Sequence, residues 1–471
     1  MKKISDLVEC DYDFYVSGVC DDSRDVKMGY LFVATKGFNV DHFDYIDDAI
    51  LNGAICVVAD REILCDVPVV IVDNINDCYI DICSRFYDVS AHSFNLIGIT
   101  GTDGKTTTAS IIKRLISKVD GCAYLGTNGL EINNKYYSTN NTTPCISELF
   151  ESLSLIKKEK CKEIVMEVSS EALLHNRLKG FEFDVVGFTN ITEDHLNIHQ
   201  NIENYVNSKL KLLELIKNDS IVVVNGDDVI CKKIDNDNLY TFGFDTVNDF
   251  VIYDVKQMSK SVEFSLKHND SIYKIISPFL GIYNIYNVTM AFVICLLKGI
   301  NSDILIKNIK GMSAISGRGE SLLFGQKYAL ILDYAHTYNG IKCLLERFSD
   351  YKNIIVVTGA AGGRDKEKRS KIGKLLLEKA DICIFTMDDP RYENVDEIID
   401  QMVMDSKRDY IRIIDRKEAI YKALSLASSD SVVLIIGKGR DNYMAIGDQK
   451  EKYCDYDVLV EYFNAHTNFD M

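Results

Sequence analysis

The chain has 471 residues, with 53 Lys and Arg against 70 Asp and Glu and a formal net charge of −17. A hydrophobic content of 47% and a charged content of 26% exclude disorder, collagen and coiled coil for the bulk of the chain. So acidic a protein is not expected to bind nucleic acid, and no apolar run approaches the roughly 20 residues that span a bilayer.

Short β-rich apolar runs alternate with amphipathic stretches, a pattern typical of α/β domains with mainly parallel sheets. The predicted strands are 54–59, 67–72, 96–100, 163–168, 185–189, 220–224, 329–333, 353–358, 381–386 and 431–436. The predicted helices are 105–118, 201–216, 366–379 and 395–405. Seams near 90–93 and 317–319 divide the chain into three expected domains, 1–90, 91–318 and 319–471.

The N-terminus and the cysteines both bear on location. The start MKKISDLVECDYDF has two lysines but no apolar core behind them, so it does not resemble a secretory signal. The 14 cysteines are scattered, without CxxC pairs or metal-ligand spacing. We therefore expect reduced thiols and a cytoplasmic protein.

The strongest local signal is a glycine-rich segment that follows an apolar strand and opens a helix. It reads Gly98-Ile99-Thr100-Gly101-Thr102-Asp103-Gly104-Lys105-Thr106-Thr107-Thr108. In such a loop, backbone N–H groups surround phosphate oxygens, a lysine neutralises them and a hydroxyl helps to hold Mg²⁺. The spacing departs from the usual Walker A pattern, and a simple strand-to-helix turn is the alternative. We interpret the segment as a nucleotide site.

Further short motifs follow in a fixed order along the chain. They are Asp22-Ser23-Arg24, Asn141-Thr142-Thr143-Pro144, Met166-Glu167-Val168-Ser169-Ser170, Asp194-His195-Leu196, Asp333-Tyr334-Ala335-His336-Thr337, Gly362-Gly363-Arg364-Asp365-Lys366, Asp388-Asp389-Pro390-Arg391 and Gly437-Lys438-Gly439. In this order they resemble the motifs of the Mur ligases, ATP-dependent enzymes that build the peptidoglycan stem peptide. The likeness is greatest to the UDP-MurNAc-tripeptide synthetase branch, which adds the third amino acid.

This resemblance implies an N-terminal α/β domain that binds UDP-sugar, a central parallel-sheet ATPase and a C-terminal Rossmann-like domain that delivers the amino acid. It also implies an acyl-phosphate mechanism, in which ATP phosphorylates a carboxylate and an amine then displaces phosphate. The expected partners are small molecules only: ATP, UDP-MurNAc-dipeptide and the amino acid. We expect no nucleic acid, no membrane insertion and a monomeric enzyme.

The resemblance assigns roles position by position. The catalytic residues would be Lys105, Glu167, His195 and Lys209, the last as a carbamate. The Mg²⁺ ligands would be Thr106, Glu167, His195 and carbamylated Lys209. The ATP contacts would be Gly101, Thr102, Asp103, Gly104, Lys105, Thr106, Thr107, Asn284, Arg318, Asp333 and His336. From the residues alone, Lys209 is better interpreted as part of a solvated helix face.

The other two substrates are assigned in the same way. The UDP-MurNAc-dipeptide contacts would be Asp22, Ser23, Phe38, Asn39, Val40, Asn141, Thr142, Thr143, Ser169, His175 and Arg177. The amino-acid contacts would be Arg364, Asp388, Asp389, Pro390, Arg391, Gly437 and Asp441. Asp22-Ser23 could otherwise form a plain turn, because both residue types favour turns.

Several positions depart from the family's usual residues. The family's DNPR is Asp388-Asp389-Pro390-Arg391 here, and an added carboxylate at 389 would favour lysine as the substrate over diaminopimelate. Arg364 and Arg391 favour a distal carboxylate instead. Glu171 replaces a histidine, and Asp103 replaces an asparagine and would be tolerated as a helix cap or facing Mg²⁺.

The favoured function is therefore addition of meso-diaminopimelate or L-lysine to UDP-MurNAc-L-Ala-D-Glu. One alternative is a ligase of the folylpolyglutamate or cyanophycin type with another acceptor. Another is a non-catalytic nucleotide-binding relative. A motor or transport ATPase is the least favoured, because no Walker B strand is evident in the sequence.

Overall fold

The computed structural model describes residues 1–36, 41–258 and 260–466. Phe38, Asn39 and Val40, which the sequence analysis places in the nucleotide-sugar site, lie outside the described residues. Within the described ranges, three sheets of mainly parallel strands follow one another along the chain. No helix in these ranges is long and apolar enough to cross a membrane.

The N-terminal region is built around a small parallel sheet. Its strands are β1 (Lys2–Lys3), β2 (Tyr15–Val16), β3 (Gly18–Cys20), β4 (Tyr30–Val33), β5 (Ala54–Ala59) and β6 (Val69–Ile71), and its helices are α1 (Ile4–Leu7), α2 (Ile46–Leu51) and α3 (Ile75–Tyr87). The sheet order is β3-β4-β5-β6. Alternate strand residues such as Leu31 and Phe32 pack on opposite faces, against α3 and α2 respectively, so both faces are buried.

The central region contains the largest sheet. Its strands are β7 (Asn95–Thr100), β8 (Cys122–Gly126), β9 (Gly129–Ile132), β10 (Lys135–Tyr137), β11 (Glu163–Glu167), β12 (Phe183–Phe188), β13 (Ile216–Asn225), β14 (Leu239–Gly243), β15 (Phe250–Gln257), β16 (Val262–His268) and β17 (Ser271–Ser277). Its helices are α4 (Lys105–Ile116), α5 (Ile146–Lys158), α6 (Ser170–Leu174), α7 (Leu196–His199), α8 (Ile202–Leu210), α9 (Ile282–Leu297) and α10 (Ser302–Lys310).

The strand order is β10-β9-β8-β11-β7-β12-β13-β14-β15-β16-β17, and the run from β8 to β15 is parallel. Helix α9 is apolar over most of its surface because it is buried between the sheet and α4. On the other face, α5 shares one core with α3 of the N-terminal region.

The C-terminal region forms the third sheet. Its strands are β18 (Glu320–Ser321), β19 (Ala329–Asp333), β20 (Asn353–Thr358), β21 (Ile382–Phe385), β22 (Ile411–Arg412), β23 (Ser431–Ile436), β24 (Tyr443–Ile446) and β25 (Gln449–Lys452), and its helices are α11 (Tyr338–Arg347), α12 (Glu367–Lys379), α13 (Val395–Val403), α14 (Arg416–Leu426) and α15 (Asp455–His466). The order is β18-β19-β23-β20-β21-β22, with only β18 antiparallel among the described strands of this sheet.

The predicted helix over 201–216 is wrong at its C-terminal end. Helix α8 ends at Leu210, a 3₁₀ turn covers Lys211–Leu215 and β13 begins at Ile216. The apolar residues of this stretch fit a helix equally well, and pairing of β13 with β12 decides between the two. The fold class of the sequence analysis, three α/β regions with a central parallel sheet, is confirmed.

Candidate active site

The phosphate loop joins the C-terminal end of β7 to the N-terminus of α4. Gly101 (φ +145°) and Gly104 (φ +84°) have backbone conformations that other residues rarely adopt. A Cβ atom at Gly101 would overlap the Thr189 hydroxyl, and one at Gly104 would overlap the Asn287 amide. The loop is thus closely packed by its neighbours, and it presents a helix N-terminus, which favours an anion.

Lys105 is the first residue of α4, and its ammonium group lies against the loop. It donates hydrogen bonds to the carbonyl oxygens of Gly101 (2.9 Å) and Thr102 (3.0 Å). Burial lowers the pKa of Lys105 below 10.5, although Glu167 and Asp103 act in the opposite direction. A bound polyphosphate would give this poorly solvated cation a full negative partner.

The next residue, Thr106, connects three distant parts of the chain. Its hydroxyl donates to Glu167 Oε2 (2.9 Å) and accepts from Arg318 Nη2 (2.9 Å). Glu167 ends β11, whereas Arg318 lies in the segment between α10 and β18. Arg318 therefore reaches the phosphate loop, and interpreting it as a simple surface cation is wrong.

The carboxylate of Glu167 is fully buried and firmly held. Besides Thr106, it accepts hydrogen bonds from the Tyr124 hydroxyl, from the Thr127 backbone N–H (3.0 Å) and from the Thr127 hydroxyl (3.2 Å). Four donors on one carboxylate fix both of its oxygens. The group is thus preorganised at the edge of the loop.

The residues at this edge fit Mg²⁺ bound together with nucleotide phosphates. In the described part of the chain, no three His, Cys, Asp or Glu side chains form a metal cluster by themselves. Thr106 and Glu167 offer oxygen ligands, which Mg²⁺ prefers, and it commonly takes its other ligands from phosphates and water. Burial lowers the pKa of His195 to about 4 against the opposing charge of Asp194, so the imidazole is neutral near neutral pH.

Lys209, on α8, lies beneath the same loop. It is only 1% exposed, and its Nζ donates to the Gly101 carbonyl oxygen (2.7 Å) and lies 4.7 Å from the Tyr205 ring centre. Burial, and then the charge of Lys105, lowers its pKa well below 10.5. Its interpretation as part of a solvated helix face is wrong.

Asp103 does not cap α4, which was one of the two roles expected for it. The N-cap of α4 is Gly104, with no side-chain cap. The Thr337 hydroxyl donates to both oxygens of Asp103 (2.9 and 3.1 Å) and also accepts from the Gly340 N–H as the N-cap of α11. The acid thus joins the phosphate loop to the C-terminal region.

Among the described residues, three ion pairs join the central and C-terminal regions, and the exposed one is between Lys371 and Glu193 (3.4 Å). Lys368 Nζ lies 3.1 Å from Asp194 Oδ1, and Arg364 Nη1 lies 3.5 Å from Glu171 Oε1. Burial alone would raise the pKa of Asp194, but His195 and Lys368 hold it below its usual range. Glu171, an acid where the family has histidine, is therefore matched by a cation of the C-terminal region.

The three residues expected near the nucleoside all line one cavity. Asn284 is buried in the first turn of α9, where its Nδ2 donates to the Leu280 carbonyl oxygen (2.8 Å). Asp333, at the end of β19, accepts from the backbone N–H groups of Gly319 and Ala335, and burial raises its pKa. Burial also lowers the pKa of His336.

Most residues predicted to bind the incoming amino acid line the cavity from the C-terminal region. Asp389 Oδ1 accepts from Lys438 Nζ (2.8 Å) and from the Ala445 N–H (2.9 Å). Lys438 thus offsets part of the negative charge on which the expectation of a lysine substrate rests. Burial raises the pKa of Asp441 to about 6, opposed by Lys438 and assisted by Asp389.

The nucleotide-sugar residues divide into two groups. Asn141, Thr142, Ser169 and Arg177 line the large cavity described below. Asp22 instead caps the turn Ser23–Asp25 and pairs with Arg24 (2.6 Å), as the plain-turn alternative expected. Asp22, Ser23, Thr143 and His175 do not line the cavity.

A single cavity of about 830 Å³ connects these groups. Its lining includes residues from every predicted set, among them Thr102, Asp103, Gly104, Lys105, Thr106, Thr107, Glu167, His195, Lys209, Asn284, Arg318, Asp333, His336, Arg364, Asp388, Asp389, Arg391, Gly437 and Asp441. Gly101 and Pro390 lie just outside it. It opens between the carboxyl ends of the central and C-terminal parallel strands, where ligands bind in such sheets.

The sequence analysis missed Tyr124, Thr127, Thr337 and Lys438. Tyr124 lies in β8 and Thr127 directly follows that strand, and neither belongs to a recognised motif. Thr337 and Lys438 belong to quoted motifs, yet their partners Asp103 and Asp389 are distant in sequence. Which residue pairs with Asp103 or Asp389 depends on the fold. The only signal in the sequence was that both positions carry an acid where the family has asparagine.

The phosphate loop of the central sheet faces charged residues at the carboxyl ends of the C-terminal strands. This arrangement is typical of an enzyme that uses ATP to join two groups held by different domains. Residues 99–295 match the Mur ligase middle domain, and residues 317–439 match the Mur ligase glutamate ligase domain.

Two curated relatives extend this match to almost the whole chain. Both are named UDP-N-acetylmuramoyl-L-alanyl-D-glutamate–2,6-diaminopimelate ligase. The protein from Bacillus cereus is 33% identical over 99% of each chain. The protein from Caldanaerobacter subterraneus subsp. tengcongensis is 35% identical over 95% of this chain and 94% of its own.

A solved structure shows the same fold. The MurF ligase from Thermotoga maritima in complex with ADP superposes with a TM-score of 0.65 at 19% identity, covering 96% of this chain and 98% of that one. The chain belongs to the Mur ligase family, whose members are ATP- and Mg²⁺-dependent, ADP-forming ligases that join an acid to an amino acid. The enzyme class predicted from the sequence is thereby confirmed.

Proposed function

We propose that this enzyme joins meso-diaminopimelate to the D-glutamyl side-chain carboxylate of UDP-MurNAc-L-Ala-D-Glu, with conversion of ATP to ADP and phosphate, in peptidoglycan synthesis. The observation that carries the proposal is the single cavity that contains both Lys105 and Arg391. The relatives named above support the choice of substrates.

In the first half of the reaction, a carboxylate oxygen of D-glutamate bonds to the γ-phosphorus, and the bond from that phosphorus to the β-bridging oxygen breaks. Lys105 and Arg318 stand where they would neutralise the phosphate oxygens, and such fixed charges supply most of the catalysis in phosphoryl transfer. Thr106, Glu167, His195 and carbamylated Lys209 would hold Mg²⁺, which when bound spreads the charge of the transferred group. Asn284, Asp333 and His336 would contact the nucleoside.

In the second half, the neutral amine of the incoming amino acid bonds to the acyl carbon. The bond from that carbon to the phosphate oxygen breaks, phosphate leaves and the nitrogen loses its extra proton to water. Asp388 and Asp441 line the cavity beside Arg391 and would hold ammonium groups of the amino acid. Arg391, with Arg364, would bind the distal carboxylate, which lysine lacks. The pair of Asp389 with Lys438 weakens the electrostatic reason for lysine, and the two arginines then favour meso-diaminopimelate.

Lys209 would act as a carbamate. A neutral lysine nitrogen bonds to the carbon of CO₂ and releases a proton, which converts a cation into an anion with two oxygen ligands. The site supports this role because Lys209 is buried and no carboxylate among the described residues forms an ion pair with it. A ¹³C NMR signal of a lysine carbamate after exposure to ¹³C-bicarbonate, lost in Lys209→Met, would test it.

The proposed function also agrees with the predicted domain boundaries, oligomeric state and location. We infer domain boundaries at 90/91 and 318/319, a monomeric enzyme and a cytoplasmic location. The three sheets, which span 18–71, 95–277 and 320–436, are compatible with those boundaries. The nucleotide-sugar site would include Asn141, Thr142, Ser169 and Arg177.

The decisive experiment measures phosphate release from ATP with UDP-MurNAc-L-Ala-D-Glu and meso-diaminopimelate, L-lysine or L-ornithine. We expect turnover that depends on all three substrates and is fastest with meso-diaminopimelate. Faster turnover with L-lysine would overturn the choice of amino acid, and no turnover with any of them would overturn the acceptor as well.

A further inference from the structure

The segment that carries Arg391 has an unusual backbone. Asp389 (φ 43°) and Arg391 (φ 50°) both adopt left-handed conformations, which residues other than glycine rarely do. The hairpin of β24 and β25 holds this turn. The Arg391 N–H donates to the Ala445 carbonyl oxygen (3.0 Å), and the Gly447 N–H donates to the Arg391 carbonyl oxygen (2.9 Å).

Beneath this turn lies a buried cation that no step of the proposed reaction uses. Lys438 is 1% exposed and does not line the cavity. Its Nζ lies 2.8 Å from Asp389 Oδ1, 3.6 Å from Asp441 Oδ2 and 5.2 Å from the Tyr443 ring centre. Burial alone would lower the pKa of Lys438, but Asp388, Asp389 and Asp441 together raise it.

The left-handed turn and the buried Lys438 are connected through Asp389 and Ala445. Asp389 Oδ1 accepts from Lys438 and from the Ala445 N–H, and Ala445 also receives the bond from Arg391. A turn with two left-handed residues persists only when its surroundings hold it. Here they are the Lys438 ammonium, the hairpin and Gly362, whose N–H donates to the Asp389 carbonyl oxygen (3.0 Å) and whose carbonyl oxygen accepts from Arg391 Nη1. Through Asp389, Lys438 therefore supports the turn from which the Arg391 side chain extends.

We propose that Lys438 is a positioning residue for the incoming amino acid, which fixes Asp389 and Asp441 and thereby the turn that presents Arg391. The inference rests on the proposed function, because it assigns Arg391 to the distal carboxylate. Without Lys438, three neighbouring carboxylates lose a shared cation, and a buried charge left unpaired is strongly unfavourable. The turn would relax to separate them, and Arg391 would move with it.

The test is a double-mutant cycle of Lys438→Met and Asp389→Asn, with Lys452→Met as the matched control on the exposed face of the same hairpin. Asparagine keeps the Oδ1 acceptor for Ala445 but removes the charge. We expect Lys438→Met to raise the KM for meso-diaminopimelate by roughly thirtyfold while the KM for ATP changes less than about twofold. Adding Asp389→Asn should restore the KM to within about fivefold of wild type.

Three outcomes would overturn the proposal. They are an unchanged KM for meso-diaminopimelate in Lys438→Met, equal increases in the KM values of ATP and the amino acid, and no recovery in the double variant. Equal increases would mean that Lys438 only supports the fold. The control variant should match wild type in all of these measurements.

A second readout separates this proposal from the proposed function. Urea unfolding of the same four proteins, without substrates, reports the coupling between Lys438 and Asp389 directly. We expect Lys438→Met to lower the unfolding midpoint far more in the wild-type background than in the Asp389→Asn background. If the enzyme turns over none of the amino acids but shows this coupling, the substrate assignment fails and the pairing stands. Additive shifts would overturn the pairing itself.

Discussion

The phosphate loop and the turn at residues 388–391 present charged groups to the same cavity, but they are built differently. One continuous segment supplies the two glycines and the helix N-terminus of the anion site, and Thr189, Lys209 and Thr337 then bind this segment from other elements. The turn is held from outside, by Lys438 and by a hairpin more than 40 residues further along the chain. Local segments of the first kind can be found by motif, whereas turns of the second kind depend on distant partners.

The largest expected effect is that of a substitution in the phosphate loop. Lys105→Ala should reduce ligation by roughly a thousandfold or more, because the bound phosphates lose their main fixed cation. Phosphate release at saturating substrates measures it, and circular dichroism checks that the fold is retained. Lys118→Ala, an exposed lysine just beyond α4, is the control. Near-normal ligation by Lys105→Ala would refute the phosphate-loop assignment.

A smaller effect is expected at Glu167, which the loop contacts but which comes from β11. Glu167→Gln keeps the shape of the side chain but replaces one carboxylate oxygen by an NH₂ group. That group would face hydroxyl and N–H donors that now bind the carboxylate. We expect kcat to fall by roughly a hundredfold and the Mg²⁺ concentration needed for half-maximal rate to rise. Glu203→Gln, exposed on α8, should change neither value. An unchanged Mg²⁺ dependence would remove Glu167 from the metal site.

The next prediction concerns the turn. Arg391→Ala should raise the KM for meso-diaminopimelate by roughly thirtyfold and leave the weak use of L-lysine within about threefold, since only the first substrate has a distal carboxylate. Arg412→Ala, which removes surface ion pairs with Asp396 and Asp400, controls for loss of a cation in the same domain. Equal losses with both amino acids would show that Arg391 is structural.

The smallest expected effect is a pH dependence at Asp441. Because burial raises its pKa to about 6, this carboxyl is charged at neutral pH and becomes protonated as the pH falls through that value. We expect kcat/KM for meso-diaminopimelate to fall about tenfold between about pH 7 and about pH 5, and Asp441→Asn to flatten this limb at a lower rate. An identical acidic limb in Asp441→Asn would assign the titration to another group.

Elements with a clear local sequence signal were predicted well. The strands over 54–59, 329–333, 353–358 and 431–436 agree with the structure residue for residue, because continuous β-branched runs are buried on both faces. The helix over 201–216 was overextended, because its apolar spacing also suits the strand that pairs with β12.

The candidate site was predicted unevenly for the same reason. The residues of the phosphate loop lie where their motif implies, but the consequences of single changes were misjudged. Asp103 and Asp389 each add an acid to the expected motif, and each is matched by a partner on another element, Thr337 and Lys438. Lys209 was interpreted as solvated, although the fold buries it under Gly101.

The sequence by itself therefore determined the α/β class, the order of the regions, the phosphate loop and the set of chemically capable residues. Only the tertiary structure decided which of those residues meet, which charges are compensated and how the turn bearing Arg391 is held. The physical reason is the distance along the chain over which each feature is determined. The sequence signals of strands, helix starts and glycine turns lie within a few residues, whereas ion pairs such as Lys438 with Asp389 depend on how two remote segments pack.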